Sequence, residues 1–92
     1  MANEMIHIGN SVFVPLDSIR IIIPADSRKV KRIMASKGMD ISSPLYWNTT
    51  GDLETRSLIV LDDGKLVTSF VTANAIVKRI NQKNNLEELL DD

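Results

Sequence analysis

The chain has 92 residues, no cysteine and a formal net charge of −1 at pH 7. This length fits one domain with a small core, and a hydrophobic fraction of 43% is too high for a disordered chain. The missing cysteines exclude disulfides and thiolate metal sites. Together with an N-terminus that lacks a signal-peptide pattern, they favour a cytoplasmic protein. No apolar stretch approaches the roughly 20 residues that cross a bilayer, so we expect no membrane partner.

The charges are distributed unevenly along the chain. Residues 1–83 contain all 11 Lys and Arg but only 8 of the 12 Asp and Glu, a net charge of +3, whereas residues 84–92 carry −4. We therefore predict a mildly basic folded domain over residues 1–83 and an acidic tail over residues 84–92. Aromatic residues make up only 4% of the chain, so the core must be aliphatic. Such small cores are often supplemented by oligomerisation.

The first quarter of the chain predicts three strands. Two short apolar runs, residues 5–8 and 11–14, flank the turn signal Gly9-Asn10 and predict a β-hairpin. The β-branched run at residues 19–23 predicts a strand that is buried on both faces or lies at a subunit contact. Arg20 is the one charge in that run, so we expect its side chain to face water or an acidic edge.

A strongly basic amphipathic helix is predicted next. Pro24 ends the strand, and Asp26 or Ser27 can cap a helix by accepting from its free N–H groups. Val30, Ile33 and Met34 share one apolar stripe, and Gly38 is placed to end the helix. The other faces carry five cations within ten residues: Arg28, Lys29, Lys31, Arg32 and Lys37.

The second half predicts a hairpin and a last helix. Leu45-Tyr46-Trp47 fits a brief strand or an anchoring patch at an intersubunit seam, with base stacking as the weaker reading. Residues 56–61 and 65–70 flank Asp62-Asp63-Gly64, a hairpin signal. Thr72 can cap a helix, and the acidic tail either extends that helix or is loose. The predicted fold class is α+β, a single domain of mostly antiparallel strands with two helices.

No residue set indicates catalysis. His7 is the only histidine and lies between two isoleucines with no cysteine available, which favours a structural or interface role over metal binding. The serines lack a nucleophile motif, there is no Gly-rich phosphate loop, and Asp62-Asp63 is typical of a turn. We predict no enzyme activity, no cofactor, no metal site and no small-molecule substrate.

The basic helix is the strongest functional candidate. Its five cations repel one another unless an anionic partner lies against them. Nucleic-acid phosphates would supply that partner with little sequence selectivity, and such binding weakens steeply with salt. Two alternatives stay open at this point: a solvated helix face, and an acidic partner surface such as the tail of a neighbouring subunit.

Several short motifs, in the same order, resemble the bacterial extracellular-matrix regulatory protein family of the RemA type. Ile6-His7-Ile8-Gly9 is similar to that family's Ile-Asn-Ile-Gly opening. Residues 18–33 resemble its Arg-Ile-Ile, Pro-Asp-Ser and Ile-Lys-Arg stretch, and Thr55-Arg56 before residues 58–60 resembles its Thr-Arg-Ala-Val-Ile-Ile strand. Residues 66–69 and 75–79 are similar to its closing strand and helix. The resemblance covers about residues 5–80.

The resemblance implies a small DNA-binding transcriptional regulator of biofilm-matrix genes that assembles into a ring-shaped homo-oligomer and binds double-stranded DNA. In that family, DNA contact is associated with the arginine of the Arg-Ile-Ile strand and with a Gly-Arg-Arg-Thr-Arg loop. Arg20 matches the first. The loop here departs from the pattern, because residues 51–56 read Gly-Asp-Leu-Glu-Thr-Arg and keep only the final Thr55-Arg56.

Charge placement and resemblance together give a predicted set of phosphate contacts. The main ones are Arg20, Lys31, Arg32 and Arg56, with lesser roles for Arg28, Lys29 and Lys37. The acidic replacements Asp52 and Glu54 leave an alternative open, in which the protein is a structural or protein-interaction ring of the same fold without DNA binding.

Overall fold

The computed structural model describes residues 4–90, and it describes side chains for residues 4–82. The fold is α+β, as predicted, with two helices and two sheets. A two-stranded sheet pairs β1 (Met5–His7) with β2 (Phe13–Pro15). A four-stranded sheet has the order β3-β5-β6-β4, and a short 3₁₀ helix (Leu16–Ser18) leads into it. Its strands are β3 (Ile19–Pro24), β4 (Tyr46–Asn48), β5 (Ser57–Leu61) and β6 (Leu66–Ser69), and the helices are α1 (Ser27–Ser36) and α2 (Ala73–Leu90).

The N-terminal hairpin is confirmed, and its turn requires a glycine. Ile6 pairs with Val14 across antiparallel strands, and both side chains are buried. Gly9 has a φ of +101°, and a Cβ built there would lie 2.7 Å from the ring of Phe70. Any side chain at this position would therefore meet both an unfavourable backbone conformation and an occupied space.

Replacing Gly9 by alanine is expected to lower the free energy of unfolding by about 2 kcal/mol, the sum of backbone strain and displacement of the Phe70 ring. Gly38→Ala is the matched control. Gly38 also has a positive φ, +69°, but a Cβ there would have nothing within 4 Å. Urea unfolding of both variants should show the larger loss of unfolding free energy for Gly9→Ala. Equal losses of unfolding free energy would mean that the Phe70 ring moves aside.

Strand β5, one of the two interior strands of the sheet, lies between two hydrophobic cores. Ile59 and Leu61 face the hairpin and α2, where they pack with Ile76. Leu58 faces the other way and packs with Val30 and other residues of α1. The two helices therefore cover opposite faces of the four-stranded sheet.

Strand β3 lies at an edge of this sheet. Ile21 is 49% exposed, so the prediction of a strand buried on both faces is wrong for a single chain, while its alternative, a subunit contact, stays a prediction. Ile19 pairs with Leu61 and Ile21 with Val60, which leaves Arg20 as the extra residue of a β-bulge. Because a bulge re-aims the side chain that it contains, Arg20 points to solvent, as expected for the one charge in this run.

Local sequence signals correctly predicted the positions of the remaining elements. The Asp26 carboxylate caps α1 by accepting from the Lys29 N–H at 2.9 Å, and Gly38 follows the helix with a positive φ. Asp63 and Gly64 form the β5–β6 turn. There the Lys65 N–H donates to the Asp63 carboxylate and lowers its pKa. Residues 46–48 form the brief strand, but it pairs in parallel with β6, so the sheet is mixed.

Helix α2 begins as predicted. The Thr72 hydroxyl accepts from the Ala75 N–H at 3.2 Å, and Ile76 is fully buried. The helix continues to Leu90, so most of the predicted acidic tail extends it. The side chains of that tail, and residues 91–92, lie outside the described residues. No helix within residues 4–90 combines the length and apolarity needed to span a bilayer.

Candidate nucleic-acid interface

The cations of helix α1 lie at different positions around the helix axis. Lys29 and Arg32 are three residues apart and lie on one flank of the helix. Lys31 lies on the other flank, beside a small cleft that also includes Met34 and Met39. Arg28 lies between the flanks, and Lys37 is the C-cap residue at the far end. Of these five cations, Lys29 and Arg32 line the same cavity.

Two of them meet other basic and polar groups in a cavity of about 550 Å³, which we call the basic cavity. It lies where β3 ends, both helices begin and β5 is about to start. Its lining consists of Pro24, Ala25, Asp26, Lys29, Arg32, Glu54, Thr55, Arg56, Thr72, Ala73 and Asn74.

The backbone of Arg56 is fixed on both sides. Its N–H donates to the Ser69 carbonyl at 2.8 Å, and its carbonyl accepts from the Ala25 N–H at 3.1 Å. The guanidinium is left largely free, since the side chain is 56% exposed and its nearest carboxylate oxygen, on Glu54, is 3.9 Å away. A backbone that is hydrogen-bonded on both sides therefore presents an exposed cation to the basic cavity.

Lys29 is also directed toward this cavity. Its ammonium donates to the Pro24 carbonyl at 3.2 Å, which turns the side chain back toward the end of β3. Arg32 follows one turn later on the same flank and also lines the cavity. Lys29, Arg32 and Arg56 are thus brought together, although the sequence separates Arg56 from the other two by more than 20 residues.

The loop that leads to Arg56 is anchored by a residue that the sequence analysis missed. The side-chain amide oxygen Oδ1 of Asn48 accepts from the N–H of Thr50 at 3.0 Å and from the hydroxyls of Thr50 at 2.7 Å and Thr68 at 2.8 Å. The Asn10 amide adds a bond to the Thr49 carbonyl at 2.7 Å. The Asn-Thr-Thr-Gly pattern at residues 48–51 indicates a turn, but it does not reveal that the turn is tied to β6 and to the hairpin.

Glu54 lies between two concave sites. It lines the basic cavity and also a neighbouring cavity of about 370 Å³ that contains Arg28. The Glu54 carboxylate and Arg56 are both largely exposed, so their long ion pair contributes little. Three cations and two carboxylates line the basic cavity, which leaves it a net formal charge of +1.

Arg20 is not part of this cluster. It lies at the bulge, five residues before Ala25, whose N–H bonds the Arg56 carbonyl. At roughly 3.3 Å per residue, the two arginines are separated by about 17 Å along β3. Arg20 therefore lies outside the basic cavity.

His7 lies away from the basic cavity, in the hairpin. Its carbonyl accepts from Arg79 at 2.6 Å, and its ring stacks on Phe13 with the centroids 4.8 Å apart. The ring contact with Phe13 fits the structural or interface role predicted for His7, and the hydrogen bond from the Arg79 side chain links α2 to β1. Over residues 4–82, no three His, Cys, Asp or Glu side chains group in a way that could hold a metal ion.

The model of one protein family matches this chain over residues 5–80, and that family is RemA-like, described as extracellular matrix regulatory protein A-like. The chain belongs to the RemA-like family. The match covers both sheets, α1, the loop before Arg56 and the first part of α2. It therefore includes every residue of the basic cavity.

Curated relatives of this RemA-like chain carry the name "Putative regulatory protein". Those from Bacillus cytotoxicus and Bacillus mycoides are 31% identical over 88 residues, covering 96% of this chain and 98% of theirs. One from Carboxydothermus hydrogenoformans is 31% identical over 91 residues, with the same coverage. The family description and these names are those of regulatory proteins.

Proposed function

We propose that this RemA-like protein is a cytoplasmic transcriptional regulator that binds double-stranded DNA as a ring-shaped homo-oligomer. The observation that carries the proposal is the basic cavity, where Lys29, Arg32 and Arg56 converge from two elements. DNA phosphates are the anions that such a group of cations attracts most generally. Arg20, about 17 Å away along β3, provides a second contact point for a neighbouring stretch of the backbone.

The open edges of the four-stranded sheet support the ring. One edge is β3 with Ile21, and the other is β4 with Trp47, each side chain being 49% exposed. Trp47 is already oriented, since its indole N–H donates to the Pro44 carbonyl and the Lys65 ammonium lies 4.5 Å from its ring centroid. A contact between two unlike edges is heterologous, and repeating it generates a ring when the rotation closes.

A ring compensates for weak binding by each subunit. A cavity with a net formal charge of +1 holds a phosphate only modestly. Repeated around a ring, the cavities act at high effective concentration once the first contact is made. DNA binding is therefore expected to depend on the intact oligomer.

The test measures oligomeric mass and DNA affinity on one sample. Light scattering should show an oligomer, and fluorescence anisotropy with double-stranded DNA should show binding at low salt. The logarithm of the affinity should fall linearly with the logarithm of salt concentration. An intact oligomer that binds no DNA at low salt would contradict the proposal.

A second candidate function is favoured by one observation, the acidic residues before Arg56. Glu54 lies beside Arg56, and Asp52 is nearby in the same loop. In this alternative the protein is a structural or protein-interaction ring whose basic helix meets an acidic protein partner. It predicts an oligomer with no nucleic-acid affinity at any salt concentration.

Glu54→Gln is expected to raise DNA affinity about threefold to tenfold at low salt, because it removes the carboxylate that competes with phosphate for Arg56. Asp52→Asn makes the same charge change in the same loop but lines neither cavity. Anisotropy titrations should show the larger gain for Glu54→Gln. Equal gains would mean that only the overall charge of the loop matters.

A further inference from the structure

The basic cavity has more room and more kinds of lining group than one DNA phosphate needs. Its volume, about 550 Å³, lies within the roughly 300–1,000 Å³ that is typical of small-molecule sites. Beside the three cations, Thr55, Thr72 and Asn74 offer hydroxyl and amide groups, which can hydrogen-bond a polar ligand.

Backbone donors add to the cations. The Thr72 hydroxyl accepts a hydrogen bond from the Ala75 N–H, and the Thr72 carbonyl accepts one from the Ile76 N–H. The N–H groups of Ala73 and Asn74 belong to the first turn of the 18-residue helix α2, where helix geometry supplies no acceptor. The partial positive charge of this helix end lies in the same cavity as Lys29, Arg32 and Arg56.

This combination suits a phosphomonoester better than a DNA phosphodiester. A phosphomonoester carries about −1.5 to −2 charge at pH 7 and has three acceptor oxygens on its free end. A phosphodiester carries a single charge and has only two non-bridging oxygens, with chain on both sides. Converging cations and unpaired N–H groups match the more highly charged and less hindered group.

We propose that the basic cavity binds a phosphorylated small molecule of mononucleotide or sugar-phosphate size, and that this ligand competes with DNA. The ligand is bound and not converted, so the proposal adds no enzyme activity. The proposed ligand binding is argued from the cavity alone, whereas the proposed competition with DNA rests on the proposed function. Lys29, Arg32 and Arg56 cannot serve both anions at once, so each anion lowers the apparent affinity for the other as its own concentration rises above its dissociation constant.

Glu54 occupies the position that such a ligand would take beside Arg56. Its side chain is 86% exposed, so it can turn into solvent without leaving a buried group unpaired. The ligand phosphate would then replace the carboxylate against the guanidinium. Glu54→Gln is therefore expected to strengthen phosphate binding, which a purely structural role of the Glu54–Arg56 pair would not do.

Binding is tested on the full chain without DNA, by NMR titration of the ¹⁵N-labelled protein at constant ionic strength. The probes are inorganic phosphate, AMP and adenosine, and chloride is the comparison anion. Phosphate and AMP should shift the amide signals of Thr55, Arg56, Ala73 and Asn74, AMP at lower concentration, whereas adenosine should leave them unchanged. Arg32→Gln should weaken AMP binding about tenfold.

Lys31→Gln is the matched control, since Lys31 is on the same helix but lies outside the basic cavity. Equal weakening by Lys31→Gln and Arg32→Gln, or equal shifts with chloride and phosphate, would overturn the site. In a DNA-binding assay, AMP should displace DNA from the wild-type protein. Bound AMP that leaves DNA affinity unchanged would overturn the competition, whereas AMP binding without any DNA binding would refute the proposed function and leave the site standing.

Discussion

Replacing Arg32 and Arg56 together by glutamine is expected to weaken DNA binding about 100-fold at low salt, at roughly tenfold for each lost phosphate contact. The slope of log affinity against log salt should become shallower by about 1.8, since each phosphate neutralised contributes about 0.9. The stability of the protein should change little, because both side chains are exposed and, among residues 4–82, the only ion pair that they make is the long one to Glu54. Anisotropy titrations over a salt series measure both quantities.

The control is the double variant Lys37→Gln with Lys78→Gln. It removes the same charge from two exposed lysines, and neither lines the basic cavity. Lys37 was predicted from sequence as a lesser DNA contact, but the structure places it at the opposite end of α1 from the cavity. We expect the control to weaken binding by no more than a few fold. If both double variants lose affinity equally, DNA binding depends on the net charge of the protein and not on the basic cavity.

Replacing Ile59 by alanine should cost about 4 kcal/mol of folding free energy. Ile59 is completely buried in the interior strand β5, where it packs in the core shared with the hairpin and α2. A domain of this length has roughly 5–14 kcal/mol in total, so the variant should be close to unfolding at physiological temperature. Its melting temperature should fall by roughly 15–30 °C.

Ile41→Ala is the matched control for this experiment. It makes the same chemical change at a side chain that is 73% exposed, where the expected loss is below about 0.5 kcal/mol. Thermal unfolding followed by circular dichroism compares the two variants at one protein concentration, because oligomer formation makes stability concentration-dependent. A small loss for Ile59→Ala would show that β5 is not the centre of the fold.

Elements that depend on local signals could be predicted from the sequence. Gly9 supplies the backbone conformation of the first turn, and Asp26 and Thr72 cap the helices that follow them. Strand neighbours could not be predicted in this way. A β-branched run such as residues 19–23 suits both a central and an edge strand, because β propensity does not specify how many neighbours a strand has.

The candidate site was predictable in its parts but not in its assembly. The spacing of Lys29 and Arg32 places them on one helix flank, which is a local property. The convergence of Lys29 and Arg32 with Arg56 and Asn74 depends on where α1 packs against the sheet. That position is determined by strand pairing between segments that are distant in the sequence. The bulge at Arg20 likewise results from its register with Val60 and Leu61, which nothing within residues 19–24 indicates.

Strand β5 also limits how the domain can be divided. It gives Ile59 to one core and Leu58 to the other, so detaching either layer would expose a fully buried face of the strand to water. The free energy of partial opening should therefore be nearly as large as that of complete unfolding. The amide hydrogens of β5 should then exchange with solvent only in the unfolded state. Neither the N-terminal hairpin nor the segment containing α1 should therefore fold as an isolated fragment.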